Sequence, residues 1–107
     1  MIERSDRLAR NEALFRSVNE RVEEVVQPGK NEEIEFLCEC GDGECVEKIS
    51  LTRVEYKGVR TDADQFAVAP GHEIPDIEDV VTRNDRFLVV RKHPGESAIA
   101  RETDPRS

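Results

Sequence analysis

The sequence predicts an α+β fold: a long N-terminal amphipathic helix followed by a small β-hairpin/sheet domain with one short helix. Three observations predict it. Apolar residues recur with helical period from Ser5 to Val26, the pattern changes to strand-like alternation at Ile34, and three cysteines fall within the eight residues Cys38 to Cys45. The expected organisation is a helix over 1–27, a compact domain over 28–93 and a disordered tail over 94–107, where only Ala98, Ile99 and Ala100 are apolar.

In the first segment, positions 100° apart place Leu8, Leu14, Phe15, Val18, Val22, Val25 and Val26 on one face, with Arg10, Glu12, Arg16, Glu20, Glu23 and Glu24 mostly off it. Ser5 can cap the helix and Pro28-Gly29 stops it. The pairs Glu3/Arg7, Asp6/Arg10 and Glu12/Arg16 have the acidic member four residues ahead, which supports an exposed helix by about 0.2–0.5 kcal/mol each. Leu8, Phe15 and Val22 recur at heptad spacing, with Val18 and Val25 in the complementary seam position and Asn11 in the middle of the face. A polar residue in such a seam fixes register, so Leu8, Asn11, Phe15, Val18, Val22 and Val25 are the expected association residues, toward a second copy or a helix of another protein. The competing reading packs the same face on the chain's own sheet.

Beyond the linker, Ile34, Phe36 and Cys38 alternate with glutamates, although Leu37 interrupts the polar side; Gly41-Asp42-Gly43 turns the chain, and Val46, Ile49 and Leu51 resume a strand. Thr52-Arg53-Val54-Glu55 has capping-box spacing and opens a short helix to about Arg60, with Val54, Tyr56 and Val59 as inward contacts. Phe66 to Ala69 is a strand ended by Pro70-Gly71, and Val80-Val81 pairs with Phe87 to Val90 through the turn Arg83 to Arg86.

Charge narrows the functions. Among 107 residues, 37% are charged and 36% hydrophobic, against roughly 25% charged in an average globular chain. This excludes an enzyme built on a large core. No window is apolar enough for a membrane span, and no apolar stretch follows the N-terminal MIERSDRLAR, so a soluble, cytoplasmic protein is expected. The net charge is -8, and residues 31–47 carry seven acidic groups and no basic one. Such a stretch repels phosphate, which argues against direct nucleic-acid binding and favours a basic protein partner; otherwise these are solvated charges that aid solubility.

The chemistry lies in Cys38-Glu39-Cys40-Gly41-Asp42-Gly43-Glu44-Cys45. Cysteines at i and i+2 of an extended segment face the same way, and the glycine turn can bring Cys45 back to them. Zinc takes four ligands in structural sites, so one must come from elsewhere. The chain has two histidines, His72 and His93. His72 follows the rigid Pro70-Gly71 turn and is the preferred fourth ligand, because a turn holds an imidazole better than a terminus does. His93, Asp42, Glu44 or water are the alternatives. Zinc uses all three thiols, whereas a disulfide leaves one over, and three separate buried thiols are the remaining possibility. A domain of 60 residues from Ile34 to His93 also has a marginal core, which one bound zinc ion per chain would reinforce.

The combination of Arg10-Asn11-Glu12-Ala13-Leu14-Phe15-Arg16, Phe36-Leu37-Cys38-Glu39-Cys40 with Cys45, and Val68-Ala69-Pro70-Gly71-His72-Glu73 resembles a family of small bacterial proteins with no assigned activity. The resemblance runs from the first helix to the last hairpin. It implies that the cysteines and His72 form one constellation, and it supplies no substrate.

No His-Glu-x-x-His, Gly-x-Ser-x-Gly or phosphate-cradling loop is present. Three thiolates and an imidazole fill a zinc shell, unlike a catalytic site with an open position. The expected function is a zinc-binding, acidic protein-interaction module of adaptor or regulatory type that associates through its N-terminal helix. A zinc-thiolate redox sensor is the alternative, followed by a zinc hydrolase with Glu39, Glu44 or Glu73 as acid/base.

Overall fold

Ile34 and Phe36 alternate with exposed glutamates and form β1 (Glu33–Leu37), whose buried side chains meet those of β2 (Lys48–Thr52) in an antiparallel pair with Ile34 opposite Leu51 and Phe36 opposite Ile49. The computed structural model describes residues 4–25, 32–42 and 44–94, with the side chains of the first helix from residue 10 onward. Leu8's side chain, Val26, the Pro28-Gly29 stop, Gly43 and the expected disorder of residues 95–107 lie outside the described residues.

Thr52 ends β2 and caps α2 (Arg53–Val59): its hydroxyl accepts from the Glu55 amide at 3.1 Å, and the Glu55 carboxylate accepts from the Thr52 amide at 2.8 Å. Both halves of the predicted capping box are therefore made. Thr52→Ala is expected to cost about 1 kcal/mol of stability, read from a denaturant midpoint; an unchanged midpoint counts against the cap. Tyr56 and Val59 face inward as expected, and Tyr56 stacks on Phe36 with ring centroids 4.4 Å apart. Val54 does not; it is exposed, because it points away from the sheet while Tyr56, about half a turn on, and Val59, three residues beyond Tyr56, face it. Val46 is also exposed, in the loop that precedes β2.

The remaining strands, β3 (Gln65–Val68), β4 (Glu78–Arg83) and β5 (Leu88–Lys92), form an antiparallel sheet in the order β3-β5-β4. The register slips between Val80 and Thr82, a bulge that turns Val81 outward. In the β4–β5 turn, Asn84 Oδ1 accepts from the amides of Arg86 and Phe87. The Arg86 guanidinium then makes a two-pronged bond to Glu55 at 2.9 and 2.6 Å and donates to the Ser50 carbonyl at 3.0 Å, tying this sheet to α2 and β2. Arg86 holds the Glu55 carboxyl down to about 2.

Helix α1 (Arg4–Val25) lies on the domain with its polar face inward, against the competing reading that packs the apolar face on the chain's own sheet. Glu12, Arg16, Asn19 and Glu20 are at most 8% exposed, whereas Leu14 is 59%, Val18 39% and Val25 67% exposed. Glu12 Oε2 lies 2.5 Å from the Lys92 ammonium, which also donates to Glu78 at 2.8 Å. Arg16 donates to the Ala63 carbonyl at 2.6 Å and covers the Phe66 ring, and Arg60 donates to Glu20 at 3.2 Å.

The reason lies in what the domain offers. Its apolar side chains pack mostly between its own strands and α2, while Lys92, Arg60 and several carbonyls face α1. Of the expected association residues, Asn11 bonds inward to the Gly41 carbonyl, Val22 packs against the core and Phe15 is half-buried, leaving Val18 and Val25 to share the outward stripe with Leu14. Asn11 is therefore engaged within its own chain instead of standing free in a helix seam.

Candidate metal centre

Two turns bring the ligating atoms together. Residues 38–40 follow directly on β1, and Cys38 and Cys40 turn their sulfurs to one group while the Glu39 carboxylate lies among Asn19, Tyr56 and Ala67. Gly41 then takes a φ of 84°, which sends the chain back. The Asp42 side chain accepts from the Glu44 amide at 3.0 Å and the Asp42 carbonyl accepts from the Cys45 amide at 3.0 Å, closing a turn that returns Cys45 to the other two sulfurs. From the other sheet, Pro70 and Gly71 occupy the centre of a turn closed by a 3.0 Å bond from the His72 amide to the Ala69 carbonyl, with Gly71 at φ 90°. A glycine at the third position of such a turn meets the positive φ that a type II turn requires.

The sulfurs of Cys38, Cys40 and Cys45 and a ring nitrogen of His72 all lie within 4.8 Å of one another. His72 Nδ1 is 3.4 Å from Cys38 Sγ and 3.6 Å from Cys45 Sγ. An ion about 2.3 Å from sulfur and about 2.0 Å from nitrogen, at the tetrahedral angle, sets these atoms roughly 3.5 Å apart. The four residues thus form a Cys3His group with the spacing to hold a metal ion. His93 is elsewhere: its Nε2 lies 3.1 Å from Asp79, at the exposed end of the β4–β5 pair.

Backbone amides surround the sulfurs. The Ala69 amide donates to Cys38 Sγ at 3.1 Å, and the amides of Asp42 and Glu47 bond Cys40 and Cys45. Each sulfur therefore has a backbone N–H that stabilises negative charge. A hydrogen bond from the Cys38 thiol holds the Cys40 thiol down to about 5, while that same bond and burial push Cys38 up; burial also raises Cys45. Of the three thiols Cys40 is thus the one most readily ionised; a bound cation would displace the protons of the other two.

Glu39, expected among the solvated charges and named as one acid/base alternative, is not solvated. Fully buried, it accepts from Asn19 Nδ2 at 2.7 Å, from the Tyr56 hydroxyl at 3.1 Å and from the Ala67 amide at 2.9 Å. Its own amide donates to the Ala67 carbonyl at 2.8 Å. Together with Cys38 Sγ on the Ala69 amide, Glu39 completes the hydrogen bonding along the edge of β3 and fastens the cysteine segment to it. Burial raises the Glu39 carboxyl, and these donors oppose the shift. Strand alternation alone places Glu39 opposite the sulfurs; its partners come from α1, α2 and β3 and carry no local signal.

No family model, curated protein or solved structure matches the chain. Among the described residues no helix is long and apolar enough to cross a membrane.

Proposed function

We propose that the chain is a zinc-binding protein-interaction module in which one zinc ion per chain staples the hairpin of β1 and β2 to the turn after β3, and in which α1 associates with a second copy through its outward stripe. The observation that carries the metal reading is the convergence of Cys38, Cys40, Cys45 and His72. The donor set selects zinc: three thiolates with one imidazole is a common closed tetrahedral shell, and soft sulfur disfavours magnesium and calcium. A closed shell leaves no position for a reacting water, which supports a structural role over hydrolysis.

Self-association is supported by the spacing of the stripe. Leu14, Val18, Arg21 and Val25 follow the three-four spacing of a coiled-coil seam, all exposed, with Glu24 beside Arg21 to offer the opposite charge to a facing copy. Burying these apolar side chains would contribute about 1.5–3 kcal/mol each.

Reducing purification followed by metal analysis and light scattering tests both parts. One zinc per chain and a dimer that Val18→Glu converts to a monomer with unchanged zinc are expected. A folded protein without metal overturns the zinc assignment, and a wild type that stays monomeric at high concentration overturns the association.

A further inference from the structure

We infer that α1 is part of the metal centre: Asn11 and Asn19 position the ligand-bearing segment from the helix, so that metal occupancy holds α1 on the domain and metal loss releases it. This rests on the metal reading above. The bonds lie on either side of the Cys38/Cys40 pair. Asn19 accepts from the Leu37 amide at 2.8 Å and donates to the Leu37 carbonyl at 2.9 Å, so its carboxamide meets that residue as a neighbouring strand would. Asn11 donates to the Gly41 carbonyl at 2.8 Å. Residues 37 and 41 are the immediate chain neighbours of Cys38 and Cys40, and Asn19 also holds Glu39 between them at 2.7 Å.

The character of the interface makes this grip depend on the loop's shape. Glu12, Arg16, Asn19 and Glu20 form the buried underside of α1, with Ala13 the one fully buried apolar side chain among the helix's described residues. Hydrogen bonds are directional and individually contribute about 0.5–1.5 kcal/mol net, so small shifts in their backbone partners remove them, whereas apolar contacts tolerate such shifts. Metal bonds at Cys38, Cys40 and Cys45 would fix this segment to His72; without them the turn from Gly41 to Cys45 keeps its own short-range bonds and the Asn11 bond to the Gly41 carbonyl, a looser hold on its shape. A released α1 exposes a polar underside that water accepts. Phe66, Leu88 and Val90 of the β3-β5-β4 sheet lie in the apolar core shared with β1, β2 and α2, to which α1 adds little apolar surface, and the sheet is expected to stay folded.

Linkage makes the relation reciprocal: if metal tightens helix docking by some factor, helix docking tightens metal by that same factor. Hydrogen exchange on the full chain, zinc-loaded and after chelation, reads the first direction. Amides of residues 12–25 are expected to exchange at least about tenfold faster after chelation, with those of β5 little changed. Transfer of zinc to a chromophoric chelator reads the second. Asn11→Ala is expected to weaken zinc retention by a factor within the roughly 5–150-fold range of coupled sites. Thr52→Ala, which removes a cap remote from the loop, is the control for lost stability and is expected to leave zinc retention unchanged. Unchanged α1 protection after chelation, simultaneous loss of α1 and β5 protection, or equal zinc loss from Asn11→Ala and Thr52→Ala each overturns the coupling. Absence of bound zinc from the purified wild type instead overturns the metal reading on which it rests.

Discussion

His72→Ala is expected to strip the metal from the protein, whereas His93→Ala is expected to leave it bound. His72 Nδ1 stands 3.4 and 3.6 Å from two sulfurs, while His93 faces Asp79. Losing a residue that only supports a ligand typically costs about 10–100-fold in affinity, and removal of a ligand itself should exceed this. Metal content after gel filtration, with competition against a chromophoric chelator, separates the two variants. Equal retention would assign the fourth position to a carboxylate or water and reopen hydrolysis. Because metal binding is folding energy in a domain with so small a core, His72→Ala should also lower the thermal midpoint, and chelation of the wild type should reproduce that shift.

The second large effect is expected at the buried triad of Lys92, Glu12 and Glu78. Lys92→Met removes the ammonium from between two carboxylates that are each 1% exposed, and breaking such a buried pair costs about 3–5 kcal/mol. Burial pushes the Glu12 carboxyl from its ordinary 4.5 up to about 8, against the pull of Lys92. Since the folded value exceeds the unfolded one, the folded chain binds the extra proton between these values. The stability associated with that proton is complete below the unfolded value and is lost as pH rises through about 8.

Glu12→Gln, which cannot ionise, should therefore be no more stable than wild type in acid and more stable at pH 9, by an amount on the order of a few kcal/mol. Denaturant unfolding of both proteins at matched, saturating zinc from pH 6 to 9 cancels the protonation of the thiols they share. A difference that stays flat across that range would mean that Glu12 does not titrate there. The triad joins α1 to β4 and β5, so alkaline loosening should begin in the helix, where amide exchange can follow it.

How much of this was legible in the chain differs from element to element. Period-two alternation located β1, two short apolar runs around the turn Arg83 to Arg86 located the β4–β5 pair, and the Thr52/Glu55 spacing located the start of α2, because strands, turns and helix caps are properties of neighbouring residues. The centre was legible for the same reason. Alternation puts Cys38 and Cys40 on one side, a glycine turn can return Cys45, and the Pro70-Gly71 turn gives His72 a fixed direction. His72 was the less certain member, since its contact with Cys38 crosses 34 positions of sequence.

The helix was legible as a helix but not in its orientation. Apolar periodicity found the two faces of α1 and left open whether the apolar one meets another helix or the chain's own sheet. Which face is buried depends on the surface opposite, and here that surface presents the Lys92 ammonium, the Arg60 guanidinium and the carbonyls of Leu37, Gly41 and Ala63. Those groups come from segments 18 to 80 positions away from their partners on α1. The sequence by itself determined the order of elements and the residues able to ligate a metal, because both follow from covalent spacing. Only the tertiary structure decided that Asn11, Asn19 and Glu39 grip the cysteine segment and that Glu12 and Arg16 are buried, because a polar side chain leaves water only where partners distant in sequence have been assembled to receive it.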